Sequence, residues 1–352
     1  MYEQSERGLT RRNCRAYFAE ALGDAVTEAK FLPHEYNEEV VPQVAAEYEQ
    51  AIRDSTTYAF DLAHQLAFRN GLGNSLFASP HTAVEHSTIT SFAKNAFSPS
   101  NLAVIGSNVD ASNLKSLVSE FFVSGTPSSS SISASASKYF GGEVRVPSVG
   151  HSPVDQFLIA FEGASSASAE FAVLRYLLGG ESSIKWSTGS SPLSKLASTN
   201  VSAQAFNLTY SDAGLFGIAV KAPTSQVADV ASKALSELKN IAKGASEESV
   251  KQAIAKAKFA AAAALETRYG QVELIGAQLA AQGKAPTSLE EVFAALDKVT
   301  AESLSKVSIR SLLLSLCNLV TDHICFHSKG RREGPQEQAH HCRCRKHPRS
   351  SL

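Results

Sequence analysis

The sequence predicts an α+β protein in which the helical half of a module occurs twice and its strand-rich half once. Three observations carry this. Helical stripes fill residues 15–123; a strand, a helix and a β-hairpin follow between 154 and 221; and the helical signals recur displaced by about 210 positions. At 352 residues the chain is long enough for two domains with a sizeable core.

Phe18, Leu22, Val26 and Ala29 recur at helical spacing and predict a first amphipathic helix. A second begins after Pro33 and runs through Glu38 to Arg53, with Pro42 expected to kink or restart it. A third carries Ala59, Leu62, Ala63 and Leu66. Asn101–Ser107 (NLAVIGS) reads as a short buried strand and Ala111–Phe122 as a closing helix. Ser124–Ser137 is serine-rich, with too few apolar side chains to repay ordering entropy, and reads as a linker. Val154–Phe161 is then a strand, Ser165–Leu178 a helix and Gly179–Ser191 a loop. Gln204, Phe206, Leu208 and Tyr210 alternate with small or polar residues, and the turn Ser211–Gly214 leads into Leu215–Lys221, which is a hairpin. Alanine-rich helices fill Ser225 to about Gln282.

In the repeat, Glu38-Glu39 matches Glu247-Glu248, each pair opening a long helix. Ile89-Thr90 matches Val299-Thr300, each expected to N-cap a short helix before a strand. Past Val307 the pattern changes. All five cysteines (Cys14, Cys317, Cys325, Cys342, Cys344) lie outside residues 15–307, and half of the ten histidines fall in the last thirty residues. A cysteine-free middle gives no sign of a disulfide-stapled secreted fold. The composition break makes residues 308–352 an expected non-native, disordered tail; Val307-Ser308 can be encoded GTAAGT, a common splice-donor sequence, so intron read-through is the expected origin. The segments expected are therefore 1–14, an aberrant N-terminal stretch; 15–123, the C-terminal half of a first domain; 124–150, the Ser-rich linker; 151–307, a second domain; and 308–352, the tail.

Thirty-three Lys and Arg against 34 Asp and Glu give a formal net charge of −1, which argues against a general nucleic-acid binder. The apolar run around Leu312–Leu316 falls far short of the roughly 18–20 residues a membrane span needs, so membrane association is expected only through partners. Arg11 and Arg12 are diluted by Glu3, Glu6, Glu20, Asp24 and Glu28, so no organelle presequence is visible.

The segments EEVVPQVAAEYEQ (38–50), HQLAFRNGLGNSL (64–76), NLAVIG, KYFGGEVRV (138–146) and LLGGESSIKWSTGSSPLSKLA (177–197) resemble the core-subunit-2 family of mitochondrial ubiquinol–cytochrome c reductase, respiratory complex III, in its fungal form. That family lies within the pitrilysin-like zinc peptidases and their processing-peptidase relatives. The resemblance spans roughly residues 15–307. It implies two homologous domains, each with helices packed on a mostly antiparallel sheet, the first lacking its N-terminal strand-rich half and the second its final strand. It implies a non-catalytic structural subunit supporting assembly on the matrix side of the mitochondrial inner membrane, with the homologous core subunit 1 and other complex III subunits as partners and no cofactor of its own. The alternative is an inactive subunit of a mitochondrial processing peptidase. That family carries a more glycine-rich loop where only Gly179, Gly180 and Gly189 stand here. A third reading is a metal- or nucleic-acid-binding module built on the tail.

Active pitrilysin-like enzymes hold zinc with H-x-x-E-H on a helix, because histidines four apart sit about 40° apart and reach one ion. No such motif exists here. In His81-Thr82-Ala83-Val84-Glu85-His86 the histidines are five apart, about 140° round a helix. The third-ligand glutamate of active relatives falls at Val44, which cannot bind zinc, while Glu47 and Glu49 belong on the solvated face of their helix. His323, Cys325 and His327, and His340, His341, Cys342 and Cys344, are the right ligand types without zinc-ribbon spacing. Gly71, Gly73, Gly141 and Gly142 read as turns and caps rather than phosphate loops. Arg175, Lys185 and Lys195 flank Trp186 in a docking or merely solvated loop, and Ala260–Ala264 reads as core packing. No catalytic, cofactor-binding or metal-binding residue is assigned.

Overall fold

The computed structural model describes residues 16–82, 84–98, 101–122, 135–147, 154–165, 168–180, 189–282, 287–308 and 324–327. The helical half opens with α1 (16–27). Pro33–Glu35 makes one α turn, Tyr36–Val40 is π-helical, and α2 (Val41–Arg53) follows. Pro42 explains the π turn: it has no N–H to give the carbonyl four residues back, and its ring crowds that carbonyl, so the turn before it widens. The expected restart at Pro42 is thus seen as a wider turn, with no break.

Next come α3 (Ser55–Phe68), α4 (His86–Ala96) and α5 (Ala111–Phe121). Asp54 caps α3, its carboxylate accepting from the backbone N–H groups of Thr56 and Thr57 at 3.2 Å and from the Thr57 hydroxyl at 2.5 Å. The Thr57 hydroxyl, ahead of the two backbone donors, holds the Asp54 carboxyl below its ordinary value. Its contribution is therefore complete above the unfolded-chain carboxylate pKa of about 3.9 and is lost as pH falls through the lower folded value. Asp54→Ala is expected to cost about 1 kcal/mol at neutral pH by urea titration, with the gap to wild type closing in acid.

Three expectations for this half are corrected. The first half of the α1 stripe faces out, with Phe18 64% and Leu22 62% exposed; Val26 is half-buried and Ala29 lies beyond the helix end. The inward side is set by Gly23, where a Cβ would come within 2.5 Å of the Phe121 carbonyl oxygen. Residues 102–106 form no strand, because no strand precedes Val144 among the described residues to pair with them. The segment runs instead between α5 and a later helix, with Gly106 against Leu114 and the Ile105 δ-methyl 3.3 Å from where a Cβ on Gly276 would stand. Thr90 does not cap its helix; it lies inside α4 and its hydroxyl donates to the His86 carbonyl at 3.0 Å. The helix starts earlier because His86 bonds the Phe31 carbonyl and Tyr36 the Val84 carbonyl, which fixes the chain at residue 86.

The sheet has the order β1-β5-β2-β4-β3, from β1 (Val144–Pro147), β2 (Val154–Glu162), β3 (Ser202–Thr209), β4 (Gly214–Pro223) and β5 (Ile324–His327). β2, β3 and β4 are antiparallel neighbours, with Phe157 opposite Val220 and Phe206 opposite Gly217. Helices α6 (Ala169–Leu178), α7 (Val227–Lys243), α8 (Glu247–Ala264), α9 (Arg268–Gln282), α10 (Leu289–Asp297) and α11 (301–308) complete the described chain. Ser168 caps α6, so that helix begins after the expected Ser165. Ser246 caps α8, Ser288 and Glu291 form a capping box at α10, and Thr300 caps α11 by accepting from the Ser303 N–H at 3.2 Å.

Two segment expectations are also corrected. Residues 144–147, placed in the linker, are the edge strand β1. Residues 324–327, placed in the disordered tail, form β5, parallel to β1 and antiparallel to β2. Composition could not show this. β2 offers unpaired N–H and C=O groups on the side away from β4, and a β-prone tetrapeptide such as Ile-Cys-Phe-His satisfies them.

The main core lies between one sheet face and α6, α7, α8, α10 and α11. Ile159, Phe161, Ala203, Phe216, Ile218 and Val220 point into it from the strands. Val173, Leu174, Leu178, Val230, Leu238, Val250, Ala253, Leu296 and Leu304 meet them from the helices. The run Ala260–Ala264 is not part of this core, correcting the packing expectation: α8 buries Val250, Ala253 and Ala257, and its last turn lies at the rim, where Gly270 turns close under the Ala264 carbonyl.

Candidate functional site

The residues nearest a zinc motif are not assembled into one. His81 sits in a turn outside any helix, Glu85 is the N-cap position of α4, and His86 begins it. His86 is spent on the Phe31 carbonyl, where the backbone adopts a positive φ of 47°, and on the Tyr36 ring 5.9 Å away. Val44, Glu47 and Glu49 all lie on α2; Glu47 accepts from Gln43 at 3.2 Å and Glu49 pairs with Arg53 at 2.9 Å, both exposed. Among the described residues no three His, Cys, Asp or Glu side chains gather as a metal site. The tail residues His323, His340, His341, Cys342 and Cys344 lie outside the described residues, as do Lys185 and Trp186.

Gly71 opens a 3-10 turn with φ +65°, and Gly141 and Gly142 take φ +73° and +158° in the approach to β1. None opens a helix. Arg175 lies with its guanidinium 5.5 Å from the Tyr176 ring centre, and Lys195 lies on a short 3-10 turn.

The feature the molecule does build is a second covered sheet face, which the sequence reading did not foresee. Alternate residues of the strands point away from the main core: Leu158 and Ala160 on β2, Leu215 and Ala219 on β4, Phe206 and Leu208 on β3. Helix α3 covers them. Ala59, Ala63 and Ala67 fall four residues apart and are 0%, 1% and 3% exposed, with Phe68 beside them. Small side chains on one stripe let the helix backbone come close to the sheet. Gly217 serves the same end on β4, because a Cβ there would come within 2.6 Å of the Phe206 ring. That ring packs edge-on to Phe60 at 4.9 Å. The signal was present: Leu215-Phe216-Gly217-Ile218-Ala219-Val220 does not alternate, as a strand buried on both faces should not.

Polar contacts fasten this layer at its end. His64 has Nδ1 2.6 Å from the Phe60 carbonyl and Nε2 2.6 Å from the Tyr210 hydroxyl. With Nδ1–H donating to the carbonyl, Nε2 accepts from the tyrosine. Burial raises the Tyr210 pKa, which keeps the phenol protonated as that donor. The segment entering β1 crosses here: Phe140 N–H donates to the Ala67 carbonyl at 2.7 Å, Tyr139 OH to the Ala160 carbonyl at 3.3 Å, and Ser137 N–H to Asp212 at 2.7 Å. Next to these contacts lies a cavity of about 350 Å³, lined among others by Phe68, Tyr139, Glu162, Phe171 and Asp212. Its lining combines the carboxylates of Glu162 and Asp212, the hydroxyls of Ser137 and Ser165 and aromatic rings.

Similarity to known proteins agrees with that architecture. A family model described as the peptidase M16 inactive domain matches residues 83–257. The chain is 40% identical over 302 residues to subunit 2 of the mitochondrial cytochrome b-c1 complex of Cryptococcus neoformans, covering 84% of this chain and 68% of that protein. It is 39% identical over 307 residues to the same subunit of Neurospora crassa, covering 84% and 66%. To the mitochondrial-processing peptidase subunit alpha-2 of Dictyostelium discoideum it is 31% identical over 291 residues, covering 79% and 64%. The chain thus spans about two thirds of the length of these relatives. In structure it matches a chain of complex III2 from Candida albicans, bound to Inz-5, with a TM-score of 0.72 at 17% identity, over 88% of this chain and 75% of that one.

Proposed function

The chain belongs to the peptidase M16 family, in the branch of cytochrome b-c1 complex subunit 2, and from that membership we infer that it is a non-catalytic core subunit of mitochondrial respiratory complex III. The observation that carries the reading is the identity of 40% over 84% of the chain, in a family whose matching domain is the inactive one. Its work is to be a rigid two-faced sheet support on the matrix side of the inner membrane, beside the homologous core subunit 1 and the redox-carrying subunits. None of the described helices is long and apolar enough to cross a membrane. Membrane association runs through those partners.

The exposed side of α1 suits such an assembly. Tyr17, Phe18 and Leu22, with Phe92 of α4 at 65% exposure, offer apolar surface of the kind that large permanent interfaces bury.

The test is an affinity-tagged copy of the chain expressed in mitochondria and recovered after mild detergent extraction. It is expected to migrate with the haem-bearing subunits at the size of complex III and to hydrolyse no presequence peptide, with or without added zinc. Recovery with a processing peptidase, and not with haem-bearing subunits, would overturn the assignment in favour of the peptidase-subunit reading.

A further inference from the structure

The chain passes from its serine-rich stretch into β1 through residues 137–142, and these form one wall of the 350 Å³ cavity through Ser137 and Tyr139. We propose that Ser137–Phe140 is a hinged strap over that cavity, which opens locally while the rest of the fold stays intact. The proposal is independent of the core-subunit assignment.

Three observations carry it. The strap's bonds go to different elements: Ser137 N–H to Asp212 in the β3–β4 turn, Tyr139 OH to Ala160 of β2, and Phe140 N–H to Ala67 of α3, with the Tyr139 ring against Phe68. No strand ladder zips these residues to a neighbour, so the Ser137 end can release without breaking a strand pairing. The downstream end is a pair of glycines, Gly141 and Gly142, in positive-φ conformations that let the backbone swing with little steric resistance. Alternate side chains lie at the surface: Lys138 and Arg69 both approach the Phe140 ring, at 5.6 and 4.5 Å from its centre, and Phe140 is 39% exposed, while Tyr139 between them packs inward beside Phe68.

Asp212 is the clasp. Its carboxylate takes the Ser137 backbone N–H at 2.7 Å, and this bond, with a weaker one from the serine hydroxyl, holds the carboxyl below its ordinary value. Asp212 also lines the cavity, so releasing Ser137 opens the wall at the point where the clasp sits. Asp212→Asn keeps an oxygen acceptor for the Ser137 N–H; Asp212→Ala removes it.

Trypsin cleavage after Lys138 in the full chain reads the opening, followed by mass spectrometry at increasing sub-denaturing urea. Local opening exposes little surface, so wild-type cleavage there is expected to be nearly independent of urea, whereas cleavage within α7, after Lys233 or Lys239, rises with it. Asp212→Ala is expected to speed cleavage after Lys138 about five- to tenfold, the effect of one lost hydrogen bond, with Asp212→Asn much nearer to wild type. Hydrogen exchange at the amides of residues 137–140 should follow the same order while α3 and β2 are unchanged. Cleavage after Lys138 that shares the urea dependence of cleavage in α7, or an Asp212→Ala chain indistinguishable from wild type at equal melting temperature, would overturn the strap.

Discussion

Placing glutamate at Ala63 is expected to detach α3 from the sheet and to lower stability on the order of 3–5 kcal/mol, the scale of an uncompensated buried charge. Ala63 is 1% exposed at the middle of the small-residue stripe, between Ala59 and Ala67, against Leu158 and Ala219. A carboxylate there would sit among apolar side chains, and a longer side chain cannot fit without lifting the helix. Ala63→Gly, which removes one methyl and adds backbone freedom, is expected to cost only about 1 kcal/mol. Thermal melting of both variants separates the cases, with hydrogen exchange at α3 as the local readout. A glutamate variant that melts no lower than the glycine variant would mean that α3 is not seated on the sheet.

On the opposite face, Phe216→Ala is expected to cost about 3–5 kcal/mol, as large-to-small changes in tight cores do. Phe216 is fully buried on β4, an interior strand between β2 and β3, and packs 5.4 Å from the Phe171 ring of α6. Unlike the Ala63 change, this one should loosen α6 and α7 while leaving the α3 stripe in place until the whole sheet melts. Urea titration measures the loss, and exchange rates on α6 and α3 distinguish the two faces. A cost near 1 kcal/mol would mean that the main core is not where the buried strand residues place it.

The two substitutions probe what the sequence did and did not make legible. Helical spacing identified α1, α2, α3 and α5, and alternation with a polar turn identified the β3–β4 hairpin, because those signals are local and each is set by how one element meets its own nearest layer. The missing zinc motif was legible for the same reason: H-x-x-E-H is a spacing on one helix, and Val44 cannot ligate whatever surrounds it. The small-residue stripe Ala59, Ala63, Ala67 was on the page as well, yet only a partner surface gives it meaning. The non-alternating β4 run hinted at a second covered face without saying which segment covers it.

What the sequence by itself determined is the element inventory, the α+β class, the absence of the peptidase motif and the family resemblance. Tertiary structure decided which faces those elements use. Gly23 against the Phe121 carbonyl turned Phe18 and Leu22 of α1 outward; no strand among the described residues pairs with 102–106; the open edge of β2 took in residues 324–327; and α3 crossed to the far side of the sheet. The physical reason is common to all four. Periodicity reports that a face is apolar, but hydrogen-bond vacancies on strand edges and the closeness that small side chains permit are settled between segments far apart in the chain, and no local pattern records them.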